Sequence, residues 1–469
     1  MVSLITIVSK YVILILCLIY TLSSFTIYIG RKSALQKTAI LDNQVWYLFA
    51  FHFVCYFVLF IQTWDLNVLF FFAAQIIFFE MIMIFYPRIY RHCSRKLVNN
   101  VCFLMGIGFI MLTRLSFSLA IRQFGIVAVT FLLTMIIPLM IEKLFFLNKL
   151  GWFYAVSGFA VLATVFVFGT NKNGATNWIS IGGITFQPSE VAKIIFVFFM
   201  AAMLAKAKNF KNLLTISVIA AMYVCVLVVE KDLGAALIFF VVYLTMVYAA
   251  TAKFTYLLAG VGGGSLASVI AYFLFNHVRV RVLAWKDPFA MIDGGGYQVC
   301  QSLFAIGTGS WFGLGLNQGR PTDIPVYESD FIFSGICEEF GVLFGLCVIL
   351  ICVSIFLSFM QISTKIKGLF YKLLTLGFGV TFIFQVLLNV GGVTKFIPST
   401  GVTLPLVSYG GSSVICTLIM FSIVQGLYML SNQKEEVTED EFVSEEEYED
   451  YRGYDRYNGL TGESEFDDQ

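Results

Sequence analysis

Charge is what this 469-residue chain has least of: 13% of its residues are Asp, Glu, Lys or Arg, against 59% hydrophobic and 17% aromatic. Soluble globular domains carry about 25% charged residues, so a soluble multi-domain protein is excluded and a polytopic membrane protein is expected. Metal-binding spacing is missing too. The three histidines, His52, His92 and His277, lie far apart, which removes HExxH and any close His cluster and leaves each a structural or interfacial residue. The ten cysteines include no CxxC pair and fall mostly inside apolar runs, as Cys17, Cys55, Cys102, Cys225 and Cys347 do. Neither a disulfide framework nor a zinc site is expected. There is no GxxxxGK[ST] stretch, which argues against a built-in nucleotide motor, and no SxxK, SDN and KTG set. Nothing points to nucleic acid.

What is present is a series of apolar runs, each about 20 residues long and thus the length of a helix crossing roughly 30 Å of hydrocarbon. Thirteen are expected, near 10–29, 46–64, 67–86, 100–120, 125–142, 151–169, 189–205, 213–229, 233–251, 254–276, 331–359, 370–394 and 406–430. The first lacks a clear small-residue cleavage site and reads as a span, not a signal peptide. Net charge is +1, yet residues 434–469 hold 15 of the 29 acids against 3 basic residues, a local −12 that leaves +13 on the body. That tail reads as a disordered cytoplasmic extension. Every second loop is basic, through Arg31, Lys32 and Lys37, then Arg88, Arg91, Arg95 and Lys96, and onward to Lys365, Lys367 and Lys372. The rule that basic loops stay inside then puts the N-terminus outside and the tail inside.

Three segments emerge on the outer face: 170–188, the long polar 277–330, and 395–405. Loops of some 50 residues usually have a function. Outside the tail, ten of 14 acids fall in or beside these segments, and charges at the edge of hydrocarbon are costly enough that such a gathering suggests a site. Asp287, Asp293 and Asp323 read as solvated loop ends. In "FQPSEVAK", Pro188 suits the first turn of a helix, Glu190 sits near its positive end, and Lys193 follows at i+3 on the same face. A plain helix-start ion pair is the competing reading. Glu230 and Asp232 bracket an interfacial turn. Arg279, Arg281, Arg320 and Lys395 are outer cations suited to a phosphate-bearing ligand or to lipid headgroups. Arg114, placed inside a span, is either a cavity residue or one that snorkels to the interface. The stretch "FIPSTGVTLPLVSYGGSS" is irregular backbone near membrane depth, tolerated where it lines a polar cavity.

Five blocks, NWISIGGITFQPSEVAK (177–193), EKDLGAALIFF (230–240), GGYQVCQSLFAIGTGSWFGLGLNQG (295–319), SDFIFSGICEEFG (329–341) and IPSTGVTLPLVSYGGSS (397–413), occur in the order found in the SEDS family of membrane peptidoglycan polymerases, which the chain resembles. The resemblance implies an all-α polytopic fold with a ten-helix bundle at about 100–430, a large outer loop at 277–330, a three-helix extension at 1–99 and an acidic tail at 431–469. It implies polymerisation of lipid II by inverting glycosyl transfer during elongation, division or sporulation, with undecaprenyl pyrophosphate leaving. Asp330 falls on the family's proposed catalytic acid, and Glu190, Lys193 and Asp232 fall on residues important to it. Arg114, Gln187, Gln298, Arg320, Lys395, Ser399, Thr400 and Ser408 are further candidates for contacting substrate. No motif demands a cofactor, although a divalent cation between acids and pyrophosphate is compatible with the set. A class B penicillin-binding protein transpeptidase is the expected partner, besides membrane lipids. The rival readings are a lipid II flippase and a non-catalytic scaffold that activates such a partner. The chain departs from the family at Val326, Glu328 and Ser329 and at Glu230-Lys231, where Gln-Pro is usual. Glu328 is expected to raise the pKa of Asp330 by like-charge proximity.

Overall fold

The computed structural model describes residues 2–29, 32–143, 146–172, 175–181 and 184–432. The expectations for Arg31, for Gly182 and Gly183 and for the acidic tail from residue 433 lie outside the described residues. In chain order the elements are α1 (Val2–Thr26), α2 (Ala34–Thr63), α3 (Leu66–Ile89), α4 (Arg95–Leu115), α5 (Phe117–Thr134), α6 (Ile137–Lys143), α7 (Gly151–Phe168), β1 (Gly169–Lys172), β2 (Ala175–Ile181), β3 (Ile184–Phe186), α8 (Pro188–Leu204), α9 (Phe210–Val229), α10 (Leu233–Thr251), α11 (Phe254–Leu274), α12 (Asn276–Lys286), α13 (Tyr297–Gly309), α14 (Ile332–Phe340), α15 (Val342–Lys365) and α16 (Leu369–Val393). A last helix, α17, covers Gly411–Asn432.

Among the described residues, twelve helices are long and apolar enough to cross a membrane. The thirteenth expected span is α8, whose 17 residues rise about 25 Å and fall just short of that length. Nine of the twelve lie from Arg95 onward, ten with the shorter α8, and α1–α3 precede them. At the centre stands α4, with 94% of its spanning window buried, whereas α11 buries none of its own and lies on the outside of α10.

Four expectations about outline change. The run 331–359 is not one helix: it breaks at Gly341 (φ +91°) into α14 and α15. The segment 277–330 is not merely polar chain, because it carries α12 and α13. Residues 170–188 hold a small antiparallel sheet in the order β1-β2-β3. The run 125–142 is interrupted by a turn between α5 and α6, with Pro138 next to the start of α6, where its missing N–H costs no helical bond.

Buried polar side chains knit the first three helices to the rest. Tyr20 and Ser24 on α1 both donate to Asn100 Oδ1 on α4 (3.1 Å each), and Asn100 Nδ2 donates to Ser354 on α15 (3.4 Å). On α2, the Tyr56 hydroxyl meets Thr113 Oγ1 at 2.8 Å, and His52 Nε2 meets Gln75 Oε1 of α3 at 2.9 Å. His52, fully buried, is therefore a structural histidine, as its isolation in the sequence suggests.

Candidate active site

Asp330 sits in the turn that leads into α14. Val326, with φ +60°, accepts from the backbone N–H groups of Ser329 and Asp330 (3.2 Å each) and so turns the chain back. The turn is pinned from three sides. Asn389 Nδ2 on α16 donates to the Asp330 carbonyl (2.8 Å) and to the Val402 carbonyl (2.7 Å). Ser408 Oγ donates to the Ser329 carbonyl at 2.5 Å while accepting from Leu404 N (2.8 Å), and Tyr409 N donates to the Glu328 carbonyl (2.8 Å). The irregular stretch 397–413 thus folds against the Asp330 turn. Gly401, at φ +72°, comes so close that a Cβ there would lie 3.5 Å from Asp330 Oδ2.

The Asp330 carboxyl is pushed up from 3.8 to about 6, first by burial, with Glu328 and Asp232 adding to the rise and a hydrogen bond from Ser329 and the charge of Arg281 opposing it. Glu328 therefore acts in the direction expected of it, but burial outweighs it. Arg281, on α12, feels both Asp232 and Asp330 and donates weakly to the Ser399 carbonyl (3.4 Å). Of Arg279, Arg281, Arg320 and Lys395, it is the one whose charge acts on Asp330.

Asp232 occupies the N-cap of α10, and its carboxylate is fully engaged. Asn177 of β2, Gln187 and Ser189 each donate to Oδ2 at 2.9 Å, and Ala235 N donates to Oδ1 at 3.0 Å. These bonds fasten the sheet and the start of α8 to α10, and Gln187 N reaches on to Ser412 (3.1 Å). Glu190 and Lys193 form a buried ion pair at 2.9 Å, and Lys193 also donates to Gln385 Oε1 (2.8 Å), whose amide in turn reaches Thr403 and Ser413. The four residues Glu190, Lys193, Asp232 and Gln187 thus surround Asp330's support instead of projecting freely.

Other candidates are dispersed. Arg114 pairs with Glu339 (2.6 Å) and donates to the Gly319 carbonyl (2.7 Å), in a packed interior position. Arg320 is exposed and lines a separate cavity against Glu338. Lys395, with φ +59°, offers its carbonyl to Trp285 Nε1 (3.1 Å), and its charge is felt at Cys300 of α13. Gln298 is partly exposed in the first turn of α13. Ser399 contributes its carbonyl to Arg281, and the buried hydroxyl of Thr400 has no hydrogen-bond partner.

Sequence reasoning passed over Gln123, Gln385 and Asn389. Gln123 on α5 donates to the Ser408 carbonyl (3.1 Å) and accepts from Gly410 N (3.4 Å). The available signal was polarity inside apolar spans, with Gln385 and Asn389 at i, i+4 on one face of α16. Glu230, expected at an interfacial turn, is 1% exposed, neither of its oxygens has a partner, and burial followed by Asp232 raises its pKa from 4.5 to about 8. Among the described residues, no three His, Cys, Asp or Glu side chains converge to hold a metal ion.

Comparison with known proteins agrees with this architecture. The peptidoglycan glycosyltransferase RodA of Mycobacterium tuberculosis is 36% identical over 297 residues, 59% of this chain; the match spans 63% of that relative's length. A protein of Pseudoalteromonas translucida described as a probable peptidoglycan glycosyltransferase FtsW is 33% identical over 360 residues, covering 70% of this chain and 86% of its own. In a solved structure described as the structural coordination of polymerization and crosslinking by a peptidoglycan synthase complex, one chain superposes with a TM-score of 0.64 at 25% identity. It covers 73% of this chain and 99% of that one. Residues 95–433 match the family model FtsW/RodA/SpoVE, described as cell cycle protein, so this multi-pass membrane chain belongs to the FtsW/RodA/SpoVE family.

Proposed function

We propose that this protein is a peptidoglycan glycosyltransferase that polymerises lipid II at the outer face of the cytoplasmic membrane, with Asp330 as general base. The observation that carries the reading is Asp330 itself: a carboxyl held near pKa 6 in a rigid turn, with the Arg281 charge beside it. A base works best when its pKa lies close to the working pH. The acceptor sugar hydroxyl gives its proton to Asp330 as its oxygen attacks the anomeric carbon of the donor. That carbon inverts, and the bond to undecaprenyl pyrophosphate breaks with both electrons leaving on the pyrophosphate. Positive charge stabilises such a leaving group, and Arg281 is the side chain that the site offers for it.

The alternation of basic loops supports an outer position for this site and a cytoplasmic tail. Residues 1–99 form a transmembrane extension to the catalytic domain at 100–430. A class B penicillin-binding protein transpeptidase is the partner this reading calls for, since the chain has no transpeptidase motif set. The likeness to a chain from a complex that joins polymerization to crosslinking supports that pairing. The family model's description as a cell cycle protein supports a role in cell elongation, division or sporulation.

The test is purified full-length protein given labelled lipid II, with and without a class B transpeptidase. Glycan strands are expected, and they vanish with Asp330→Asn. Translocation without strands would identify a flippase, and neither activity would leave a scaffold.

A further inference from the structure

Asn389 stands one turn after Gln385 on α16 and is buried within a spanning helix. Its Nδ2 donates to two carbonyls from two different segments, Asp330 at 2.8 Å and Val402 at 2.7 Å. Among the described residues neither carbonyl has another donor. Asn389 Oδ1, in contrast, is buried with no donor at all. A polar side chain inside a span is costly, and an unpaired buried oxygen adds about 1–3 kcal/mol, so what the position gains from an amide is its pair of donor bonds. The same face of α16 is shaped for a close approach. A Cβ at Gly392, three residues on, would lie 3.3 Å from Ser399 Cα. The stretch 399–402 therefore lies against α16, and Gly401 within it comes beside the Asp330 carboxyl.

We propose that Asn389 is a positioning residue for the base: its amide clasps the Asp330 turn to the 399–402 stretch and so fixes where the carboxyl stands against Gly401. The catalytic meaning of the clasp rests on the polymerase reading; the clasp itself does not. Because the bond is made to the Asp330 carbonyl, it sets the main chain from which the carboxyl projects. A displacement of about 1 Å at a reacting group can cost about 10²-fold in rate. The charges that reach this carboxyl are Arg281 on α12, Asp232 at the cap of α10 and Glu328 in the turn itself, with the Ser329 hydroxyl bonded to it. Asn389 has no charge, so its loss shifts the titration of Asp330 only by moving the carboxyl or admitting water to it. Water favours the ionised form, and burial is the main reason that this carboxyl keeps its proton up to about pH 6. Releasing the turn therefore lowers the pH at which Asp330 ionises.

The experiment uses full-length protein carrying Asn389→Leu, Asn389→Ser or Asn100→Leu, the last removing a buried amide near the start of α4 as a control for lost stability alone. Two readings are taken. One is polymerisation of labelled lipid II against pH; the other is the pH at which a hydrophobic carbodiimide, which attacks protonated carboxyls, half-modifies Asp330, read by peptide mass spectrometry. For Asn389→Leu, kcat should fall about tenfold or more with KM within about twofold, and the acid limb and the modification midpoint should both drop by about half a pH unit or more. Asn389→Ser, whose hydroxyl donates only once, should fall between this variant and the parent, and it carries the test if the leucine variant does not fold. Asn100→Leu should lower the melting temperature and leave the midpoint in place. If the Asn389 variants keep the parent's limb and midpoint, however slow they are, the amide does not position the base and the proposal is overturned. A parent that makes no strands would instead count against the polymerase reading, and the carbodiimide midpoint would still decide whether Asn389 holds the carboxyl.

Discussion

At the residue scale, two carboxyls with raised pKa values have different consequences. Asp330 must be ionised to accept a proton, so polymerisation should fall about tenfold per pH unit below a limb near pH 6. Asp330→Asn should lower the rate by about 10² or more. Glu328→Gln should move the limb to lower pH by less than one unit, since burial contributes more than Glu328 does; a limb that stays in place would deny Glu328 any influence. Glu230 acts on stability instead. The folded protein keeps this proton up to about pH 8, whereas an unfolded chain releases it near 4.5. Between those values the folded state binds more protons, so stability drops as pH rises through the window. Glu230→Gln, already neutral, should melt about 2 °C or more above the parent at pH 8 and match it near pH 5. A melting curve with the same pH dependence in both proteins would refute this.

At the scale of elements, the apolar runs made the spans legible because a helix in lipid must satisfy its own backbone over a fixed thickness. FQPSEVAK yielded the Glu190–Lys193 pair for a local reason, i+3 spacing after a helix-start proline. What stayed hidden depended on tertiary contact. Nothing local reveals that Asp232 collects donors from Asn177, Gln187 and Ser189, or that Asn389 ties Asp330 to Val402. The break at Gly341 was hidden because Glu338 and Glu339 beside it were absorbed into an otherwise apolar run. Its φ of +91° and the Trp311 carbonyl, 2.4 Å from where a Cβ would stand, leave no room for a side chain. Gly341→Ala should therefore destabilise the protein by about 1–3 kcal/mol and disturb the 311–313 backbone against which α14 and α15 meet. An unchanged melting temperature would mean that the break tolerates an ordinary residue.

At the scale of the whole molecule, the N-terminal helices reach the loop after α13. Lys10 donates to the Gly313 carbonyl (3.2 Å), and Gln62 donates to the Leu316 carbonyl (3.0 Å) and to Thr6 (3.2 Å). That loop then presents Asn317 N to Glu339 Oε2 (3.1 Å), and Glu339 holds Arg114. The line runs from α1 and α2, which precede the family match, to an ion pair whose glutamate side chain is fully buried and whose arginine is 12% exposed. Removing one partner of such a pair strands the other charge, at a cost of about 3–5 kcal/mol, while removing both together is often close to neutral. Arg114→Met and Glu339→Leu should each lower the melting temperature sharply, and the double substitution should recover most of the loss. Gln62→Ala, which releases one neutral hydrogen bond to the loop, should cost only about 1 kcal/mol. If Arg114→Met instead left the melting temperature intact and raised KM for lipid II, Arg114 would be a substrate contact, not the anchor of this chain of bonds.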